Sequence, residues 1–210
     1  MTGAVARQRG PASGALTTAP VTPDRWDDLC ALSGPSGAYS GCWCMWWRVT
    51  GAEFSARSGA GLREDLRALV AGGREPGLLA YRDGEPVGWC AVAPRADYGR
   101  ILRSPKLKPT DDREGVWSIT CFFIDRAHRG SGVATALLDA AEAFAFARGA
   151  SAVEAYPIDP AAGRADNASA FTGLLGMFRD AGYQEVARRG GRPTVRKDAP
   201  GNAASRGGEA

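Results

Sequence analysis

The sequence predicts an α/β fold on the basis of three observations. Apolar runs with strand and helix periodicity succeed one another along the 210 residues in the order β-α-α-β-β-β-α-β-α-β-β. A buried strand, a glycine turn and a long amphipathic helix follow one another over 116–148. Hydrophobic residues make up 44% of the chain, which is ordinary for a globular protein. Together they predict one domain with a sizeable core.

The first half of the chain contains three predicted strands and two predicted helices. Asp83-Gly84 is a strong turn signal between two apolar runs and predicts a hairpin. Gly72-Gly73 ends the second helix. In chain order the elements are a strand over 15–22, a short helix through Trp26, Leu29 and Cys30, a helix over 52–70, and strands over 78–82 and 86–92.

The second half begins with a polar loop over 94–115, which is long enough to suggest a cover for a substrate. A late helix over 169–181 is expected to turn its apolar side chains inward: Phe171, Leu174, Leu175 and Phe178. The other elements are strands over 116–123, 153–158, 183–187 and 194–197, and a helix over 133–148. Residues 15–198 are expected to form the single domain, between disordered tails at 1–14 and 199–210.

The turn at Arg129–Ala134 lies between the central strand and its helix. Gly130 and Gly132 have no Cβ, so a ligand phosphate can approach the main chain closely. The free N–H groups at the start of the helix, together with its dipole, favour an anion at the same place. The turn therefore predicts a phosphate cradle, although two glycines can also serve only the geometry of a tight turn. The lysine of a kinase-type P-loop is absent.

The same six residues read Arg-Gly-Ser-Gly-Val-Ala and fit the pattern Gln/Arg-x-x-Gly-x-Gly/Ala. This pattern resembles the acyl-CoA pyrophosphate loop of the GNAT N-acetyltransferase superfamily, in which it follows a strand and opens a helix, as it does after Ile124. The resemblance covers roughly residues 15–198 and implies a central mixed β-sheet flanked by helices. It implies transfer of an acyl group, most simply acetyl from acetyl-CoA, to an amine of a small molecule.

The resemblance also implies how the donor binds. The pantetheine arm would lie in a gap between the central strand and the next parallel strand, where it acts as a substitute strand. It would bond there to the main chain of Phe122, Phe123 and Ile124. The pyrophosphate would meet the N–H groups of Arg129, Gly130, Ser131, Gly132, Val133 and Ala134. The Arg129 guanidinium can add a charge-assisted contact or simply face solvent.

Acyl transfer to an amine needs a neutral amine, an oriented thioester and a stabilised oxyanion. Relatives that carry a general base often place it near the positions of Ser118 and Thr120, and neither hydroxyl is a base by itself. Either Ser118 or Thr120 is expected to hold a water that relays a proton toward Glu114, which can equally be an exposed loop carboxylate. Phe178 stands where many relatives carry a tyrosine that acts as the general acid and protonates the leaving thiolate. The nearest tyrosine, Tyr156, is the candidate acid or a packed strand aromatic.

A Trp- and Cys-rich segment lies between the first two helices, where the resemblance implies the wall of an acceptor pocket. Its aromatic side chains can form an apolar or cation-binding pocket, or can plug the core. Three tryptophans within five residues exceed what one buried face takes. The candidate acceptor-binding residues are Trp43, Cys44, Trp46 and Trp47.

Composition argues against several other classes of protein. No apolar run approaches the ~20 residues that cross a bilayer, and the N-terminus has no signal-like apolar region, so a cytoplasmic location is expected. A net charge of +3 and the lack of a recognisable motif argue against a nucleic-acid partner. Five cysteines and one histidine predict reduced thiols and no metal site. The sequence is compatible with a homodimer.

Two other functions are compatible with the sequence. The lack of an evident base and acid would suit a GNAT-like domain that binds acyl-CoA as a sensor, without turnover. A transferase that takes its acyl group from another carrier, such as aminoacyl-tRNA, would retain the chemistry. Strong salt-dependent RNA binding would favour the latter function.

Overall fold

The computed structural model describes residues 14–57, 59–162 and 170–201. The tails predicted over 1–14 and 199–210 lie outside these ranges, except for residues 14 and 199–201. The predicted start of the late helix at Ser169 also lies outside them.

Seven strands form one sheet in the described ranges: β1 (Leu16–Pro20), β2 (Gly77–Arg82), β3 (Glu85–Pro94), β4 (Val116–Ile124), β5 (Ala152–Ala155), β6 (Gln184–Arg189) and β7 (Arg192–Asp198). Their order across the sheet is β1-β2-β3-β4-β5-β7-β6. Only β4 and β5 pair in parallel; the other neighbours are antiparallel. The predicted mixed sheet is therefore confirmed.

The α-helices of the described ranges are α1 (Trp26–Ser33), α2 (Gly51–Ala56), α3 (Gly59–Ala71), α4 (Gly99–Arg103), α5 (Val133–Ala147) and α6 (Leu175–Asp180). They cover both faces of the sheet. One face packs on α5 and α6 through residues such as Leu137 and Phe178, and the other packs on α1 and α3 through Leu29 and Leu66. Within the described part of the chain, every helix is too short or too polar to span a bilayer.

The predicted helix over 52–70 is two helices in the structure. Arg57 caps α2 in an extended conformation, with φ −96° and ψ 125°, which breaks the helical path. The next helix then starts at Gly59, whose backbone lies against Gly41, since a Cβ built on Gly59 would be 3.3 Å from the Gly41 Cα. The break thus lets the chain between α1 and α2 approach the start of α3.

The late helix and its preceding strand are also shorter than predicted. Gly173 has a φ of +83°, which separates a 3₁₀ turn at 170–172 from α6. Leu174, expected to face inward, is instead 44% exposed. The strand predicted over 153–158 ends at Ala155, and Pro157 shortly after it has no N–H to donate to a neighbouring strand.

The start of α5 lies close to β3 because Gly88 has no side chain. A Cβ at Gly88 would be 2.7 Å from Cγ1 of Val133 and 3.0 Å from Cδ1 of Leu137, both in the first half of α5. Such distances are shorter than carbon–carbon contacts in packed interiors. Gly88 therefore sets how near the beginning of α5, and the turn before it, come to the sheet.

The central strand β4 carries a bulge at Thr120. Ala91 of β3 pairs with Cys121, whereas the next residue, Val92, pairs with Ile119, so Thr120 is the extra residue. Pairing with β5 ends close by, at Ile119 opposite Ala155. A bulge increases strand twist and often lies next to an active site. Beyond it, residues 120–124 run without a β5 partner, and this gap is called the β4–β5 split below.

Candidate active site

The turn before α5 leaves an open space above its two glycines. Gly130 and Gly132 have φ values of +73° and +83°, a region that glycine adopts without steric cost. A Cβ built on either glycine would meet no atom within 4 Å. Asp125 fixes the chain ahead of the turn by accepting a hydrogen bond from the Ala127 N–H at 2.8 Å. The glycine turn is thus present, with open space above it.

The electrostatics of this turn suit an anion. Among the described residues, no side chain caps the N–H groups at the start of α5, which leaves them available to a ligand. Arg82 is buried beneath the turn and donates to the Ser131 hydroxyl and carbonyl, both at 3.2 Å. Arg129 donates from Nε to the Ile124 carbonyl at 3.2 Å. Two cations and a helix dipole therefore favour a diphosphate here.

The β4–β5 split lies directly before this turn in the chain. Phe122, Phe123 and Ile124 belong to the part of β4 that has no β5 partner. Phe122 packs edge to face on Phe178 of α6, with ring centroids 6.2 Å apart. The main chain of β4 is thus held firmly by packing, while over 120–124 one of its edges has no neighbouring strand among the described residues.

An apolar cavity of about 290 Å³ opens on the same part of β4. The segment between α1 and α2 forms one wall, and β4 contributes Cys121, Phe122 and Phe123. Three of the four residues predicted to bind the acceptor line this cavity: Cys44, Trp46 and Trp47. Trp43 is buried behind it and stacks on Trp26, with ring centroids 6.2 Å apart.

The wall between α1 and α2 has an unusual backbone. Ala38, Ser40, Trp43 and Cys44 all have positive φ values, between 43° and 64°. Such conformations cost free energy in residues other than glycine and concentrate at ligand-binding sites. The segment is held by packing of Trp43 and Cys44 in the core, so the wall is preorganised.

A buried polar network joins β4 to β5 at the foot of the split. Ser118 Oγ lies 3.1 Å from Tyr156 Oη, and the Tyr156 hydroxyl donates to Glu154 Oε2 at 3.1 Å. Glu154 is buried and also accepts hydrogen bonds from Arg95 and Arg196. Burial, and then the Glu154 charge, raise the pKa of Tyr156 well above its usual value.

Glu114 lies apart from this network. It precedes β4, its side chain is exposed, and its carbonyl accepts a hydrogen bond from Ser151 at 2.5 Å. The structure thus brings Ser118 and Tyr156 together, and the hydrogen bond of Ser118 goes to Tyr156 rather than toward Glu114.

Thiols from both walls line the cavity: Cys42 and Cys44 from the segment between α1 and α2, and Cys121 from β4. Cys44 Sγ is 3.3 Å from Cys121 Sγ and accepts a hydrogen bond from Trp89 Nε1 at 3.0 Å. All five cysteines are free. The hydrogen bond to Cys121, together with burial, raises the pKa of Cys44 well above its usual value, so this thiol stays protonated and is a poor nucleophile.

Much of this site lies within a sequence match to a known protein family. A sequence model of the acetyltransferase (GNAT) family matches residues 43–167, from the wall of the cavity through the turn before α5. The chain belongs to the GNAT family. No curated protein sequence matches it.

Solved structures share the GNAT fold with this chain at low identity. An N-acetyltransferase from Staphylococcus aureus Mu50 is 12% identical, with 88% of this chain and 98% of that chain covered and a TM-score of 0.51. The yncA protein of Salmonella typhimurium, solved with its cofactor acetyl-CoA, is 14% identical, with coverages of 90% and 97% and a TM-score of 0.52. The GNAT domain of S. lividans PAT is 20% identical, with coverages of 90% and 93% and a TM-score of 0.50.

Several residues around this GNAT site were missed by sequence reasoning. Phe54 and Phe171 complete the cavity from distant parts of the chain, and no local pattern predicts that. Glu154 could have been found from the sequence, because a carboxylate inside an apolar strand is rarely buried without a charged partner.

Proposed function

We propose that this GNAT protein is an acyl-CoA-dependent N-acyltransferase that transfers an acetyl group from acetyl-CoA to an amine of a small molecule. One observation carries the proposal. The part of β4 that has no β5 partner borders both the anion cradle at Gly130–Gly132 and the apolar cavity, so a donor and an acceptor can meet on Cys121–Ile124.

The donor side of the proposal rests on the residues at the start of α5. The N–H groups of Arg129–Ala134 would bind the pyrophosphate, with Arg82 beneath them adding positive charge. Phe122–Ile124 would offer main-chain groups to the pantetheine amides. The acetyl-CoA in the yncA structure supports an acyl-CoA as the donor. The thioester supplies an acyl carbon that is open to direct attack by an amine.

On the catalytic side, we assign Ser118 and Tyr156 to positioning. Because the Tyr156 proton is donated to Glu154 and its pKa is raised, the hydroxyl holds β5 against β4 more readily than it releases a proton. Glu114 remains the proposed carboxylate for a water-mediated relay at the other end of β4. The orientation of the thioester would then provide most of the rate acceleration.

The domain limits and location are part of the same proposal. One sheet runs from Leu16 in β1 to Asp198 in β7, which supports a single domain over 15–198. The five free cysteines suit the reducing cytoplasm. The acceptor is proposed to be a small molecule because the cavity, which Phe54 and Phe171 help to line, has a small volume.

Two measurements on the full chain test the function. Calorimetry should detect acetyl-CoA binding, and a thiol reagent should detect CoA release when amines are added. Absence of acetyl-CoA binding would refute the proposal. Binding without CoA release on a broad amine panel would instead support the acyl-CoA sensor, which the lack of an acidic or basic side chain among the described cavity-lining residues favours as the second candidate.

A further inference from the structure

The lining of the acceptor cavity is dominated by aromatic rings. Around its volume of about 290 Å³ stand Tyr39, Trp46, Trp47, Phe54, Phe122 and Phe171. Trp47 and Phe171 lie with ring centroids 6.3 Å apart, and Trp46 meets Phe54 edge to face at 4.9 Å. A volume at the lower end of ligand sites, bounded by rings, favours a small planar apolar group.

The cavity also disfavours a charged amine. Of the described residues that line it, none is an Asp, Glu, Lys, Arg or His, and Ser40 is exposed at its edge. An ammonium ion that enters such a space loses its hydration without gaining a carboxylate partner. Desolvation lowers the pKa of an amine, so the neutral form is favoured here.

Tryptophan faces can bind cations, but the face of the exposed tryptophan is already occupied. The Arg100 guanidinium carbon lies 3.8 Å from the ring centroid of Trp46, and Arg100 Nε donates to the Trp46 carbonyl at 2.6 Å. A positive charge stacked at the edge of the cavity repels a second cation. The aromatic lining therefore favours an uncharged ring over an alkylammonium ion.

We propose that the acceptor is an aromatic primary amine, with the amino group attached directly to a planar apolar ring and uncharged at neutral pH. This inference rests on the proposed acyltransferase function. In the reaction the amine nitrogen forms a C–N bond to the acetyl carbon and the C–S bond of the thioester breaks. One amine proton is released, and the CoA sulfur leaves as a thiolate that takes up a proton. A neutral acceptor explains how the reaction proceeds without an acidic or basic side chain in the described lining.

Two isomeric amines of equal size provide the test. At pH 7, 4-methylaniline is neutral, whereas benzylamine has a pKa about two units above 7, so only about one molecule in a hundred or fewer is neutral. With the full chain and acetyl-CoA, kcat/KM from CoA release should be at least about tenfold higher for 4-methylaniline, a difference of about 1.4 kcal/mol. The ratio should shrink as pH rises toward 9.

The outcomes separate the two proposals. No acetyl-CoA binding in calorimetry would overturn the proposed function itself. Acetyl-CoA binding with a higher kcat/KM for benzylamine at pH 7 would overturn only the acceptor class. Acetyl-CoA binding with turnover of neither amine would also overturn the acceptor class.

A pair of variants tests the charge argument directly. Ser40 lines the cavity edge with a φ of +52°, a conformation that Asp and Asn tolerate better than most residues. S40D adds a carboxylate, and S40N adds nearly the same shape without charge. The KM for benzylamine should be about fivefold lower in S40D than in S40N, as expected for about 1 kcal/mol of attraction in water. Equal KM values in the two variants would overturn the inference that the amine binds in this cavity.

Discussion

Gly132 and Gly149 lie beyond opposite ends of α5 in almost the same conformation. Their φ values are +83° and +80°, and a Cβ built on either would meet no atom within 4 Å. Alanine at either position therefore introduces the same left-handed strain and no clash with the protein. Only Gly132 belongs to the turn that is proposed to hold the pyrophosphate. G149A is thus a matched control for G132A.

The magnitudes follow from these two facts. A left-handed alanine costs about 1–2 kcal/mol, which lowers the Tm of a chain of this size by about 2–8 °C. Both variants should show that loss. In G132A the new methyl group also stands in the space of the proposed ligand. Loss of one hydrogen bond to a charged group, about 1.5–3 kcal/mol, raises the Kd for acetyl-CoA about 10- to 100-fold.

Thermal unfolding and calorimetry with acetyl-CoA on the wild type and both variants measure these effects. The expected pattern is a similar Tm loss in both variants, with weaker binding only in G132A. If G132A bound acetyl-CoA as tightly as G149A, the cradle would not be the pyrophosphate site. If G149A weakened binding equally, the effect would come from strain in α5 rather than from a contact with the donor.

Two further predictions concern the polar network beside the split. E154Q leaves Arg95 and Arg196 without their shared buried charge, so unfolding in urea should show a loss of about 3–5 kcal/mol; a loss below about 1 kcal/mol would contradict the importance of this charge. Hydrogen bonding and charge from Arg196 lower the pKa of Asp111 below its usual value, so the stability that Asp111 adds is present above the unfolded pKa of about 3.9 and is lost as pH falls further. Between pH 5 and 2, the Tm of D111N should therefore fall less than that of the wild type, and parallel curves would disprove the linkage.

The sequence predicts the central part of the fold well because its signals are local. The β-branched run before Ile124, the glycines at 130 and 132, and the helical periodicity from Val133 each depend on a few neighbouring residues. Their combination specified the turn and its place in a mixed sheet. The turn could thus be placed without any knowledge of tertiary contacts.

Other parts of the site could not be predicted because they arise from contacts between distant segments. The bulge at Thr120 is defined by its register with β3, which the residue type does not reveal. Trp43 and Trp47 are buried, whereas Trp46 is 37% exposed. Positive φ values in that segment mean that no regular periodicity decides which side chains point inward. The helix predicted over 52–70 failed because Arg57 leaves the helical path where the chain packs against Gly41.

Four residue pairs between β4 and β5 are the only backbone ladder between the two parts of the sheet, within the described chain. The strands β1 to β4 stand on one side of this seam, and β5 with the last hairpin stands on the other. A molecule that bonded to both β4 and β5 would extend the ladder beyond Ile119 and Ala155, where the pairing of the two strands stops. A bound donor would then stabilise the pairing of β4 with β5. The hairpin of β6 and β7 would separate from the rest of the sheet less readily when the donor is bound.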